Sequence, residues 1–124
     1  MAEKQDRAEG TDLRIAIPTT GGQLASHFGH CEEFTVFDVE REASRIGGTL
    51  MLDAPPHQPG LLPAWLAERG VDVVIAGGMG RRARTLFEER GIHVVVGGPL
   101  SNPQEIVESY LAGTLETGGN LCDH

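Results

Sequence analysis

VDVVIAGGMGRRARTLFEERGIHVVVGG, Val71 to Gly98, changes its periodicity twice and thereby decides the fold. VDVVIAGG (71–78) is a continuous apolar run closed by glycines. RRARTLFEERG (81–91) puts Ala83, Leu86 and Phe87 on one helical face, and IHVVVGG (92–98) is a second apolar run. Short runs of this kind fit strands buried on both faces, and two of them joined by a helix make a right-handed parallel crossover.

Working outward, a second unit follows downstream and a different pattern precedes. NPQEIVESYLAG (102–113) has Asn102 as N-cap, Pro103 at the first helical position, Glu105 at the third and Gly113 as terminator. Upstream, the connector APPHQPG leads into a helix with Leu62, Trp65 and Leu66 on one face, ended by Gly70. Before it lie three strand segments: LRIAIP (13–18), FTVFDVE (34–40) and RIGGTLML (45–52), the last two joined by the polar turn REAS, with Gly47 and Gly48 signalling a bulge. An antiparallel meander followed by crossovers gives a mixed five-stranded α/β sheet of order 3-2-1-4-5, strand 2 antiparallel, with helices on both faces. Residues 1–12 are expected to be a disordered leader, 13–112 one folded domain, and 113–124 a flexible tail.

The chain has 124 residues, enough for one core without disulfide staples. The start MAEKQDRAEGTD lacks the apolar block of a signal peptide, and no run reaches the roughly 18 apolar residues of a membrane span, so a cytoplasmic location is expected. The 18 acidic and 10 basic residues give a net charge of −8, which disfavours nucleic acid as a partner. Arg81, Arg82 and Arg84 are the exception, a basic cluster in an acidic chain.

Ligands of open α/β sheets bind beyond the carboxyl ends of parallel strands, where the connections diverge. Here that crevice lies between strands 1 and 4. Strand 1 runs out into a loop containing HFGHC (27–31), and strand 4 into AGGMGRRAR. Gly77, Gly78, Met79 and Gly80 let backbone amides approach a ligand, and a helix start favours an anion. Arg81 and Arg82 oppose the helix dipole in the first turn, a local cost that a bound anion would offset. The pattern matches neither GxxxxGK[ST] nor GxGxxG, so no nucleotide is indicated.

His27, Gly29, His30 and Cys31 form the facing segment, with three soft or borderline metal ligands in five positions. No zinc spacing fits, and three ligands this close cannot all reach one ion comfortably. The alternatives are a plain structural loop with Phe28 in the core and Gly29 at the turn, or a Cys31 nucleophile with His30 or His27 as base and Glu32 or Glu33 nearby. Cys122 and His124 in the tail are extra ligands if the tail folds back, and a Cys31–Cys122 disulfide is the scaffolding alternative. His57 reads as an exposed loop residue and His93 as a strand residue packed beneath a helix. A metal-dependent nuclease with this topology needs clustered carboxylates, and LRIAIP has none.

RIAIPTTGG, SHFGHCEEFTVFDV and GVDVVIAGGMGRRARTLFEERGIHVV together resemble the NifX/NifB-type dinitrogenase iron-molybdenum cofactor biosynthesis family over about residues 13–112. The short form with HFGHC is similar to the orange-protein branch from sulfate-reducing bacteria, which carries a molybdenum-copper sulfide cluster. The resemblance implies a ribonuclease H-like fold and a non-enzymatic role in binding, carrying or assembling an anionic metal-sulfur cluster, of molybdenum-copper or iron-molybdenum type. Partners implied are the cluster and a donor or acceptor metalloprotein, the chain itself being a monomer. The cysteine motif of radical-SAM NifB enzymes is absent, so synthetic chemistry would belong to a partner. The alternative function is a regulatory or interaction module of the same fold without cargo.

Overall fold

The computed structural model describes residues 10–25, 31–55, 60–96 and 102–114. The HFGH part of HFGHC, His57, most of the leader and the tail with Cys122 and His124 lie outside these residues.

The elements are β1 (Leu13–Thr20), β2 (Gln23–Leu24), β3 (Glu33–Glu40), β4 (Arg45–Asp53), α1 (Leu61–Glu68), β5 (Val73–Ala76), α2 (Arg81–Glu89), β6 (His93–Val96) and α3 (Pro103–Ala112). The sheet has six strands where the sequence predicts five. Its path is β4-β3-β1-β5-β6, with β2 folded back on the end of β1, so numbering shifts by one after β1. β1 also continues past Pro18 to Thr20, where the sequence reading stops. The proline is tolerated because β5 pairs with β1 only at Ile15 and Ala16, leaving the Pro18 position outside that ladder.

Burial follows the strand period of two. Ala16, Phe34, Val36, Val74 and Ala76 pack with Leu66 of α1 and Phe87 of α2. Leu13, Ile15, Ile17, Phe37, Val73 and Ile75 pack with Ile106 and Val107 of α3. Two helices thus cover one face and a third covers the other. The α3 boundaries are those predicted: Asn102 Oδ1 accepts from the Glu105 amide at 3.1 Å, and Gly113 closes the helix at φ 75°. The β3–β4 hairpin also holds its predicted bulge, since Asp38 pairs with Gly48 but Val39 with Ile46. Gly47 is the extra residue, and a Cβ there would stand 2.6 Å from the Thr11 methyl.

One buried feature was invisible in the sequence. Arg14 and Asp38 face each other across β1 and β3, their side chains 3% and 6% exposed. Arg14 Nε and Nη2 donate to the two Asp38 oxygens at 2.7 and 3.1 Å, and Nη1 donates to the Arg69 carbonyl at 2.7 Å. The Arg14 amide donates to Asp72 Oδ2 at 2.9 Å. This network ties the two central antiparallel strands to the end of α1, where Arg69 stacks 3.9 Å over the Trp65 ring.

Candidate functional site

At its carboxyl end β1 turns through Gly21 and Gly22, both at positive φ, and β2 returns along it with Leu24 opposite Thr19. The Ala25 amide then donates to the Pro18 carbonyl at 2.9 Å. After the segment 26–30 the chain re-enters at Cys31. The Glu32 amide donates to the Thr19 carbonyl at 3.0 Å, and Glu32 Oε1 accepts from the Gly21 amide at 3.3 Å. Ala25 and Glu32, on either side of residues 26–30, are therefore pinned to the last residues of β1 and the turn after it. The sequence shows Glu32 only as a neighbour of the thiol; its anchoring role depends on the β1 turn, which short glycine-rich segments do not announce.

β5 delivers the second loop to the same place. A Cβ on Gly77 would lie 3.2 Å from the Ala25 carbonyl and 3.4 Å from Leu24 Cδ2, so the absent side chain is what lets the loops touch. The chain that follows β1 and the loop that follows β5 meet at this contact, whereas the expected meeting of His27–His30 with the arginines lies outside the described residues. Gly78 and Met79 are buried, and Met79 packs in the core with Leu66 and Phe87. Its side chain anchors the loop in the core, and the expected ligand contact of Met79 rests on its backbone amide. The sequence could not give the direction of a side chain in a loop.

α2 begins at Gly80, extended at φ −65° and ψ 156°, with no side-chain cap and no acid in the first turn. Arg81 and Arg82 are exposed there, and Arg84 is half-buried. The contrast with α3, capped by Asn102 and carrying Glu105, is electrostatic. Amides and guanidinium groups at the start of α2 sum to a positive field that an anion would neutralise.

Cys31 is half-buried against the α1–α2 side of the core. Burial pushes its thiol up to about 11; a backbone hydrogen bond pulls it down, and the Glu33 charge raises it further. A neutral thiol at pH 7 is a poorer nucleophile than a thiolate. In a Cys122→Ser protein, Cys31 is expected to alkylate with iodoacetamide at least about tenfold more slowly than free cysteine at pH 8; a rate matching free cysteine would refute this environment.

Among the described residues no three His, Cys, Asp or Glu side chains converge on a metal position. His93 is exposed at the start of β6, opposite Val73, and so sits at the amino ends of the parallel strands. It is neither packed beneath a helix, as predicted, nor near the crevice.

The family model for the dinitrogenase iron-molybdenum cofactor matches residues 11–113. The uncharacterized protein MJ0580 of Methanocaldococcus jannaschii is 30% identical over 107 residues, 84% of this chain and 90% of that one. The FeMo cofactor biosynthesis protein NifB of Rhizobium leguminosarum bv. trifolii is 30% identical over 91 residues, which are 64% of this chain but only 18% of NifB. The apo form of the orange protein from Desulfovibrio gigas shares the fold, with TM-score 0.66 and 24% identity over 89% of this chain and 97% of that one. Among the described residues no helix is long and apolar enough to cross a membrane.

Proposed function

The chain belongs to the dinitrogenase iron-molybdenum cofactor family, and from that premise we propose that it binds and carries an anionic metal-sulfur cluster as cargo without turning over a substrate. The observation that carries this reading is the uncapped, arginine-bearing start of α2, held by the Gly77–Ala25 contact against the chain that enters HFGHC. Sulfido-metal clusters are anionic, so amides at Gly80–Arg82 and the two guanidinium groups supply charge and hydrogen bonds. His27 and His30 act chiefly as donors. The cluster is of molybdenum-copper or iron-molybdenum type, in line with the resemblance to the orange-protein branch and the match to part of NifB. Delivery is to or from a second metalloprotein.

As a direct metal ligand Cys31 would have to lose its thiol proton against burial and the Glu33 charge, a cost that the metal–sulfur bond would have to offset. Anaerobic reconstitution with tetrathiomolybdate and copper(I) tests the proposal. Wild type is expected to retain metal and sulfide, Cys31→Ser to keep most of both, and a chain truncated after Gly118 to match wild type. No cargo on wild type would favour the interaction module. Loss in Cys31→Ser alone would make the thiolate a ligand, and loss in the truncated chain alone would move the metal to Cys122.

A further inference from the structure

α1 and α2 cover one face of the sheet, but they leave part of the β3–β4 ribbon open on that face. Val36 is buried there, while its ladder partner Leu50 is 39% exposed; Met51, on the opposite face, is 54% exposed. α1 stops at Glu68, and the Gly70 turn, at φ 76°, brings the chain back to Val71. Beside this turn is a cavity of about 370 Å³ with an aliphatic floor of Val36, Leu50, Leu52 and Val71. Cavities that take small ligands run from ~300 to ~1,000 Å³ and combine an apolar lining with a few polar groups. This one is at the small end of that range.

Arg14, Glu68 and Arg69 complete the lining. Arg14 is already matched, by both Asp38 oxygens and by the Arg69 carbonyl. Arg69 is different. Its Nη1 donates to the Trp65 carbonyl at 2.9 Å and its guanidinium lies on the Trp65 ring, yet among the described residues no carboxylate pairs with it. Stacking and that one bond hold the group in place while further N–H donors stay available. Its neighbour Glu68 is exposed at the same wall and brings a carboxylate. The cavity therefore offers a cation, an anion and an aliphatic surface together.

We propose that this cavity binds a free α-amino acid with an aliphatic side chain, its carboxylate on Arg69, its ammonium on Glu68 and its side chain on the aliphatic floor. Charge complementarity selects this occupant. An aliphatic acid would bring its carboxylate beside Glu68 with no cation of its own, and an aliphatic amine would leave Arg69 unmatched. The volume fits one amino acid and not a peptide. The site is separate from the cargo crevice, since Arg14 is near the start of β1 and the crevice is at its carboxyl end. It stands whether or not the chain carries a cluster.

Calorimetric titration of the full chain, without cargo, with L-leucine is expected to show saturable binding with a Kd on the order of 1 mM. Isocaproate, which lacks the ammonium, and isopentylamine, which lacks the carboxylate, should each bind at least about tenfold more weakly. Arg69→Gln should weaken leucine about tenfold and erase its preference over the amine, whereas Glu68→Gln should erase its preference over the acid. Leu50→Glu, at an already exposed position, should abolish binding. Arg90→Gln, at the exposed end of α2, should leave it unchanged. No saturable heat up to about 20 mM leucine would overturn the proposal, since that is well above the affinity expected of so small a ligand. So would isocaproate or isopentylamine binding as tightly as leucine, Arg69→Gln and Glu68→Gln weakening all three compounds alike, or leucine binding that survives Leu50→Glu.

Discussion

Asp38→Ala is expected to lower stability by about 3–5 kcal/mol, because it leaves the Arg14 guanidinium charged, buried and short of both its carboxylate bonds. That is a large part of the roughly 5–15 kcal/mol that holds a domain together. Arg14→Met combined with Asp38→Leu removes both charges and should recover most of the loss, since an apolar pair of similar size avoids desolvating either ion. Urea unfolding followed by the fluorescence of Trp65, the lone tryptophan, reads both variants directly. The ring lies against Phe34, with centroids 5.8 Å apart, and beneath Arg69, on the face where the ion pair is buried. A loss below about 1 kcal/mol for Asp38→Ala would mean that water reaches Arg14.

Arg81→Ala with Arg82→Ala is expected to do the opposite to stability and to abolish much of the cargo binding. Each exposed guanidinium contributes about 1.5 kcal/mol to an anion, the low end for a charged hydrogen bond, so the pair accounts for on the order of a hundredfold in affinity. Without cargo, the same change should leave the protein equally or slightly more stable, by about 0.3–1 kcal/mol per arginine, because positive charge in the first turn opposes the helix dipole. Tetrathiomolybdate titrations in low salt and in about 0.5 M salt, where charges are screened within a few ångströms, complete the test. Wild-type affinity should fall with salt much more steeply than that of the variant. Equal affinities, or a variant that binds less only because it unfolds, would remove the arginines from the site.

The parts of this fold that were legible in sequence are those set by neighbours in the chain. The Asn102 cap, Gly113, the REAS turn and the Gly47 bulge are each decided within a few residues. What could not be read depends on register. Asp38 becomes the partner of Arg14 only once β1 and β3 are aligned, and until then Arg14 is one polar residue in an apolar strand. β2 has two residues, too few to show a period. At the site, the arginine cluster and HFGHC were conspicuous by composition, whereas the pins from Glu32 and the inward turn of Met79 follow from how the loops close. The contact of Gly77 with Ala25 lies between: its glycine is visible, but the carbonyl it approaches is more than fifty positions earlier.

The central place of β1 has a consequence for the protein as it leaves the ribosome. Its antiparallel neighbour β3 begins at Glu33, but its parallel neighbour β5 begins only at Val73, and the Arg14 amide waits for Asp72. A nascent chain that has emerged only as far as the β3–β4 hairpin can form that local ribbon rapidly, yet one edge of β1 and the whole α1–α2 face stay open until β5 arrives. The hairpin meanwhile displays Leu50 and Met51 on its own free edge. The interval between synthesis of β4 and docking of β5 is thus the period of greatest exposure to chaperones and to premature pairing between neighbouring nascent chains.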